Sequence, residues 1–141
     1  MEVGLPIGAL SARTGCSVQA IRYYEQIGLL PPPDRTEGGQ RRYGAAATQR
    51  LAFIRHARDL GFEVAQIREL LDLGDQPDRP CAEADAIARA HLAAVEDKIR
   101  RLQALRAALG RMVEACGHGQ IADCRVMETL ADHGLCAGSH R

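Results

Sequence analysis

Three of the five cysteines in this 141-residue chain are placed where they could bind a metal ion. Cys81 directly precedes a long helical pattern, Cys116 directly follows it, and Cys124 lies eight residues further on. Ionised thiols are the ligands that soft metal ions prefer. An odd number of cysteines, clustered in this way, favours metal or redox chemistry over a disulfide framework. The remaining reading is that they are ordinary buried thiols at helix ends.

The pattern between these cysteines predicts one helix from about residue 82 to 115. It is rich in good helix formers and contains no Gly or Pro before Gly110. Apolar residues recur every three or four positions, which is typical of a coiled-coil seam. They are Leu92, Val95, Ile99, Leu102, Leu105, Leu109, Met112 and Cys116. Such a narrow stripe needs a partner, and the simplest is the same helix of a second copy, packed antiparallel in a homodimer.

That packing would decide which cysteines can meet. At 1.5 Å per residue, Cys81 and Cys116 are roughly 50 Å apart in one chain and cannot share a ligand. In an antiparallel pair, Cys81 of one chain approaches Cys116 and Cys124 of its partner. We therefore predict a three-thiol metal site across the dimer interface. His118 in the intervening loop is a candidate fourth ligand, which zinc would need.

Composition and charge bear on location and partners. No apolar run approaches the ~20 residues of a membrane span, and the first residues lack a secretory pattern, so we expect a cytoplasmic protein with no membrane partner. Net charge is zero, but residues 1–58 hold eight arginines against four acidic residues. A basic segment on a neutral chain indicates a local contact with a polyanion.

The N-terminal half predicts a DNA-binding fold. Residues 5–14 and 18–27 read as two short helices joined by a turn with Gly15, a helix-turn-helix pattern. Residues 34–43 read as a hairpin, here called the wing, and two further helices follow over 45–60 and 62–73. Polar residues of the second helix and of the wing are the predicted DNA contacts. They are Ser17, Gln19, Arg22, Tyr23, Arg35, Arg41, Arg42 and Tyr43.

Several runs together resemble the MerR family of transcription regulators. These are Ile21-Arg22-Tyr23-Tyr24-Glu25, Gly28-Leu29-Leu30, Arg41-Arg42-Tyr43, Leu51-Ala52-Phe53-Ile54 and Leu60-Gly61-Phe62. The resemblance implies a winged helix-turn-helix domain, an antiparallel dimerisation helix and a C-terminal effector site. It also implies promoter DNA as partner, distorted on effector binding so that RNA polymerase can use it.

The second half resembles the metal-sensing branch of that family, with a split signal. Copper(I) sensors carry a Cys-x7-Cys loop like Cys116 to Cys124, but a serine where this chain has Cys81. Branch members that respond to zinc, cadmium, lead or mercury carry a cysteine at that position. The third thiolate favours a divalent soft ion as effector, with copper(I) as the alternative.

We therefore expect an all-α fold with a small β wing. Residues 1–73 form the winged helix-turn-helix domain, 74–81 a linker, 82–116 the dimerisation helix, 117–132 the metal-binding loop with a short helix, and 133–141 a tail. Cys136, His133 and His140 of the tail are left open as weak metal ligands. A thiol or iron–sulfur redox sensor is a rival, but a cluster needs four closely spaced cysteines. No thiol has a base beside it, so we do not expect an enzyme.

Overall fold

The fold is described by a computed structural model that covers residues 4–132. This part of the chain contains six α-helices, a single turn of 3-10 helix and a two-stranded antiparallel sheet. In order they are α1 (Ile7–Thr14), α2 (Val18–Gln26), β1 (Asp34–Arg35), β2 (Arg41–Arg42), α3 (Ala45–Asp59), α4 (Val64–Gly74), α5 (Ala82–Glu114), the 3-10 turn (Ile121–Asp123) and α6 (Arg125–Ala131). The predicted helical fold with a small β wing is confirmed.

The contacts divide the chain into two compact units, Met1–Ile87 and Ala88–Arg141. The unit boundary falls inside the sequence of α5. The predicted tail, with Cys136, His133 and His140, lies outside the described residues.

Local signals set the helix-turn-helix. Helix α1 ends at Gly15, which has a left-handed φ of 76° and donates its N–H to the Ser11 carbonyl at 2.8 Å. Helix α2 begins after Ser17, whose hydroxyl oxygen accepts a hydrogen bond from the Ala20 N–H at 3.0 Å. The two helices are therefore joined by a turn of three residues.

One apolar core holds the N-terminal unit together. Its largest fully buried side chains come from α1, α2, α3, α4, the segment after α2 and the segment after β2. They are Leu10, Ile21, Leu29, Leu30, Tyr43, Leu51, Ile54 and Ile67. Burial of each large apolar side chain contributes roughly 1.5–3 kcal/mol to folding. This core fixes where α2 lies against α1 and α3.

Three arginines of α3 and α4 donate hydrogen bonds to backbone carbonyls at the ends of α1 and α2 or just beyond. Arg55 donates to the Thr14 carbonyl at 3.4 Å, and Arg68 donates to the Ile27 carbonyl at 2.6 Å. Arg50 Nε donates to the carbonyl of Leu29, just after α2, at 2.8 Å. These guanidinium groups satisfy carbonyls that have no partner inside a helix.

The wing is a short antiparallel ladder that pairs Asp34 with Arg42 and Arg35 with Arg41. The loop between the strands closes at Gly39, which has a φ of 83°. Beyond β2, the backbone of Tyr43 pairs with Leu5 through two hydrogen bonds of 2.7 and 2.8 Å.

Helix α4 begins at Val64, two residues after its predicted start. Gly61 has a φ of 86°, and Glu63 is extended at the N-cap, where its N–H donates to Gln66 Oε1 at 2.8 Å. Phe62 packs against the core from the turn instead.

Helix α5 leaves much of its apolar stripe uncovered. Leu92, Ile99, Leu102 and Leu109 are 48–63% exposed, and Val113 beside them is 67% exposed. Leu105 and Met112 are half-buried. Within the described residues, Ala108 is the one buried residue of this helix.

Candidate nucleic-acid interface and metal centre

The exposed face of α2 carries three of the predicted DNA contacts. Gln19, Arg22 and Tyr23 all lie at the surface, with Tyr23 49% exposed. Ile21 is fully buried, and Tyr24 packs partly against the core. The helix thus presents one polar face to solvent, as its 3.6-residue period requires.

The other predicted DNA contacts differ in their exposure and in the hydrogen bonds they already make within the protein. Ser17 is engaged as the α2 N-cap. Arg35 is exposed and donates to the Gly39 carbonyl at 2.8 Å, within the wing. Arg42 is half-buried and bonds Gln40 Oε1 at 3.4 Å. Tyr43 is 1% exposed, so its side chain is not on the surface that DNA could reach.

Sequence reasoning missed Glu25, which joins α2 to the wing. Its Oε2 accepts a hydrogen bond from Arg41 Nη1 at 2.9 Å, and its Oε1 accepts one from the Tyr43 hydroxyl. Burial raises the pKa of the Tyr43 phenol, and the hydrogen bond to Glu25 raises that pKa further. The hydroxyl therefore remains a donor at neutral pH.

Glu25 and Arg41 line a cleft of about 590 Å³ between α2 and the wing. Within residues 4–132, the charged residues of its lining are Arg22, Glu25, Arg35 and Arg41, three cations and one anion. A surface with excess positive charge between a helix and a hairpin suits contact with DNA phosphates.

In the C-terminal unit, the structure brings two of the predicted metal ligands together. Cys116 follows the end of α5, and Cys124 is the N-cap of α6. The Cys116 side chain lies near enough to Cys124 to lower the pKa of that thiol, neither cysteine is in a disulfide, and both are half-buried.

The setting of Cys124 favours its thiolate. Backbone N–H groups of Met127 and Val126, in the first turn of α6, hydrogen-bond to its sulfur and lower the pKa of the thiol. The hydrogen bond from Cys116 lowers that pKa further, while partial burial and Glu128 oppose the shift. A thiol at a helix N-terminus is activated in this way because the amide dipoles stabilise negative charge.

The other predicted ligands are placed differently. His118 is exposed, and it is the one non-glycine residue within 4–132 with a positive φ, at 56°. Cys81 is exposed and belongs to the N-terminal unit. Within residues 4–132 of a single chain, no three His, Cys, Asp or Glu side chains gather as a metal-binding group.

Two adjacent thiols, one of them with a lowered pKa, are a donor set that fits a thiophilic ion. Such an ion requires deprotonated sulfur, and the α6 amides already stabilise that state at Cys124. Two sulfurs can hold a two-coordinate ion alone, whereas three or four ligands need further donors.

Comparison with known proteins identifies the family. Residues 5–73 match the family described as MerR HTH family regulatory protein, and residues 48–112 match the family described as MerR, DNA binding. The chain belongs to the MerR family. The resemblance drawn from the sequence motifs is therefore confirmed.

Relatives within the MerR family include regulators named for heavy metals. Heavy metal-dependent transcription regulator 2 of Rhizobium meliloti is 41% identical, over 89% of this chain and 86% of that protein. The HTH-type transcriptional regulator ZntR of Escherichia coli is 39% identical, over 88% of this chain and 90% of that protein. A crystal structure of PbrR691 from Ralstonia metallidurans in complex with lead(II) superposes with a TM-score of 0.80. It is 38% identical and covers 89% of this chain and 98% of that one.

These MerR relatives are transcription regulators rather than enzymes. Among residues 4–132, no helix has the length and apolar composition needed to cross a bilayer.

Proposed function

We propose that this protein is a metal-responsive transcription regulator that binds promoter DNA as a homodimer in the cytoplasm. The observation that carries the proposal is the Cys116–Cys124 pair, with the amides of α6 directed at the Cys124 sulfur. The names of the relatives, which include a heavy metal-dependent regulator and a lead(II)-bound regulator, support a thiophilic effector.

DNA binding is assigned to the α2 face and the wing. Arg22 and Tyr23 on α2, with Arg35 and Arg41 of the wing, are the surface groups that reach phosphates or base edges. Ser17, Gln19 and Arg42 remain predicted contacts. Tyr43 acts from beneath this surface, through Glu25.

Dimerisation is assigned to the stripe on α5. Leucine and isoleucine side chains along this helix are about half exposed. A second helix that covered them would stabilise the helix by burying apolar surface. In an antiparallel pair, Cys81 of the partner subunit approaches Cys116 and Cys124. The third thiolate of each site then comes from the second chain.

The third thiolate favours a divalent effector, among zinc, cadmium, lead and mercury. It adds negative charge that a +2 ion offsets better than a +1 ion. It also supplies the three ligands that lead and mercury accept, or three of the four that zinc and cadmium prefer. His118 is the candidate fourth ligand. Metal binding then distorts the promoter for RNA polymerase, as in the family's mode of activation.

The test measures promoter output in cells and metal binding in vitro for zinc, cadmium, lead, mercury and copper(I). Three proteins are compared: wild type, Cys81→Ser, and Cys16→Ser as a control. Cys16 is a buried core thiol of the same unit, whose Sγ faces the Leu51 carbonyl at 4.0 Å. We expect Cys81→Ser to lose the divalent response while Cys16→Ser keeps it, with unchanged circular dichroism in both.

Copper(I) is the second candidate, favoured by the same two-sulfur pair. Two thiolates match its linear preference, and Cys116 and Cys124 are the pair that one chain brings together. A wild-type protein that answered only to copper(I), and kept that answer in Cys81→Ser, would establish copper in place of a divalent ion. Elemental analysis and visible absorbance after anaerobic purification distinguish a protein that binds a divalent ion or copper(I) from one that holds an iron–sulfur cluster.

A further inference from the structure

The carboxylate of Glu25 links two parts of the molecule that are distant in sequence. It lies on α2, and it accepts hydrogen bonds from Arg41 on β2 and from Tyr43 just beyond, 16 and 18 residues later. The Glu25 side chain is only 11% exposed, against 42% for Arg41. Both carboxylate oxygens are thus used to hold the wing.

The wing is held at one end by Tyr43, through its buried ring and its backbone pairing with Leu5, but these contacts do not fix the Arg41 side chain. Its two strands are two residues long, and a short isolated hairpin is at best marginally stable in water. Arg41 is long and more than one-third exposed, so without Glu25 its guanidinium would sample many rotamers. Arg22 precedes Glu25 by three residues on the same helical face. Glu25 therefore sets the spacing between Arg22 and Arg41.

The same carboxylate opposes simple attraction to DNA. Among the described residues that line the cleft it is the one anion, beside Arg22, Arg35 and Arg41. A negative charge at a surface that meets phosphates lowers sequence-independent affinity. An acidic side chain at this place is explained if orientation matters more than charge.

We propose that Glu25 is a positioning residue for promoter recognition. By fixing Arg41 and Tyr43 against α2, it increases discrimination between promoter and other DNA, and by cancelling one positive charge it weakens non-specific binding. The inference rests on the proposed DNA-binding function and assigns a role to a residue that does not itself contact the DNA.

The experiment compares Glu25→Gln with Glu37→Gln. Both remove one negative charge from the basic segment 1–58, but Glu37 lies in the exposed loop of the wing, away from the Glu25 contacts. Affinity is measured for a duplex selected with the wild-type protein and for a scrambled duplex of equal length. In Glu25→Gln we expect the ratio of the two affinities to fall roughly tenfold, the size of one lost charge-assisted hydrogen bond. Scrambled-duplex affinity should stay equal or rise.

Further variants separate positioning from general destabilisation. Tyr43→Phe keeps the buried ring and removes only the hydroxyl donor, and it should lower the ratio as well. The combined Glu25→Gln/Tyr43→Phe protein should lose less than the sum of the two losses, since both remove one shared contact. Urea unfolding checks that each variant is folded under the binding conditions.

The outcomes are distinct. Equal ratios for Glu25→Gln and Glu37→Gln would overturn the positioning role, and so would a uniform loss of affinity for both duplexes. A wild-type protein that failed to prefer any selected duplex would instead overturn the proposed DNA-binding function itself.

Discussion

Cys124 combines a lowered thiol pKa with a position directly before α6. Because the folded state stabilises the thiolate, its pKa is lower in the native chain than in the unfolded chain. The resulting stabilisation is present above the unfolded pKa and is lost as pH falls through the native pKa. Without metal, we expect the pH midpoint for alkylation of Cys124 to be lower in native protein than in concentrated urea. Mass spectrometry of iodoacetamide-treated samples across a pH series measures both midpoints.

The matched variant for this prediction is Cys116→Ala. It removes a hydrogen bond that lowers the pKa of Cys124 but leaves the stronger contribution of the α6 amides. The midpoint in that variant should lie between those of native wild type and unfolded chain. Identical midpoints for native and unfolded wild type would contradict the geometry at the α6 N-terminus.

Residue orientation on α2 was predictable because a helix repeats every 3.6 residues. That period places Gln19, Arg22 and Tyr23 on one exposed face once Ile21 is taken into the core. The role of Glu25 was not predictable in this way. Its partners follow 16 and 18 residues later, and only the folded wing brings them within reach.

Helix α5 was predicted within about one residue at its start and at its end, because a long run of good helix formers is a strong local signal. The 3-10 turn Ile121–Asp123 was not predicted, since three residues leave no periodic pattern. It forms through hydrogen bonds from Asp123 and Cys124 to the carbonyls of Gln120 and Ile121. That turn directly precedes Cys124, the N-cap of α6.

The exposed stripe of α5 predicts how the protein associates. Leu102→Asp places a charge where the second helix would cover the stripe, and the dimer should dissociate because a buried unpaired charge costs several kcal/mol. Ala104→Asp adds the same side chain about half a helical turn away and should leave the dimer intact. Sedimentation velocity at micromolar concentration distinguishes the two. An unchanged dimer for Leu102→Asp would place the interface elsewhere.

At the scale of the whole molecule, fewer arginines are available to contact DNA than the N-terminal sequence contains. Of the eight in residues 1–58, the three on α3, Arg50, Arg55 and Arg58, donate to backbone carbonyls of neighbouring segments. Arg41 is paired with Glu25 but stays 42% exposed, so it remains a predicted DNA contact. The composition predicts a basic surface that contacts a polyanion, but only the fold separates the arginines that bond backbone carbonyls from those available to DNA.

The salt dependence of DNA binding measures how many basic side chains contact phosphates. Affinity should fall linearly with salt on logarithmic axes, because each neutralised phosphate releases counterions. Arg22→Ala should reduce the slope by about 0.9 for one lost phosphate contact. Arg100→Ala removes the same charge from the exposed surface of α5 and should leave the slope unchanged. Equal slopes for wild type and Arg22→Ala would remove Arg22 from the interface.

Gly15 has a consequence for how this sequence can vary over evolutionary time. It is exposed, yet its left-handed φ of 76° disfavours other residues, and a Cβ there would lie 1.8 Å from Arg55 Nη1. Surface turns ordinarily drift freely between lineages. Here a mutational library screened for folding should return glycine almost alone, with rare Asn survivors in which the flexible Arg55 side chain moves aside.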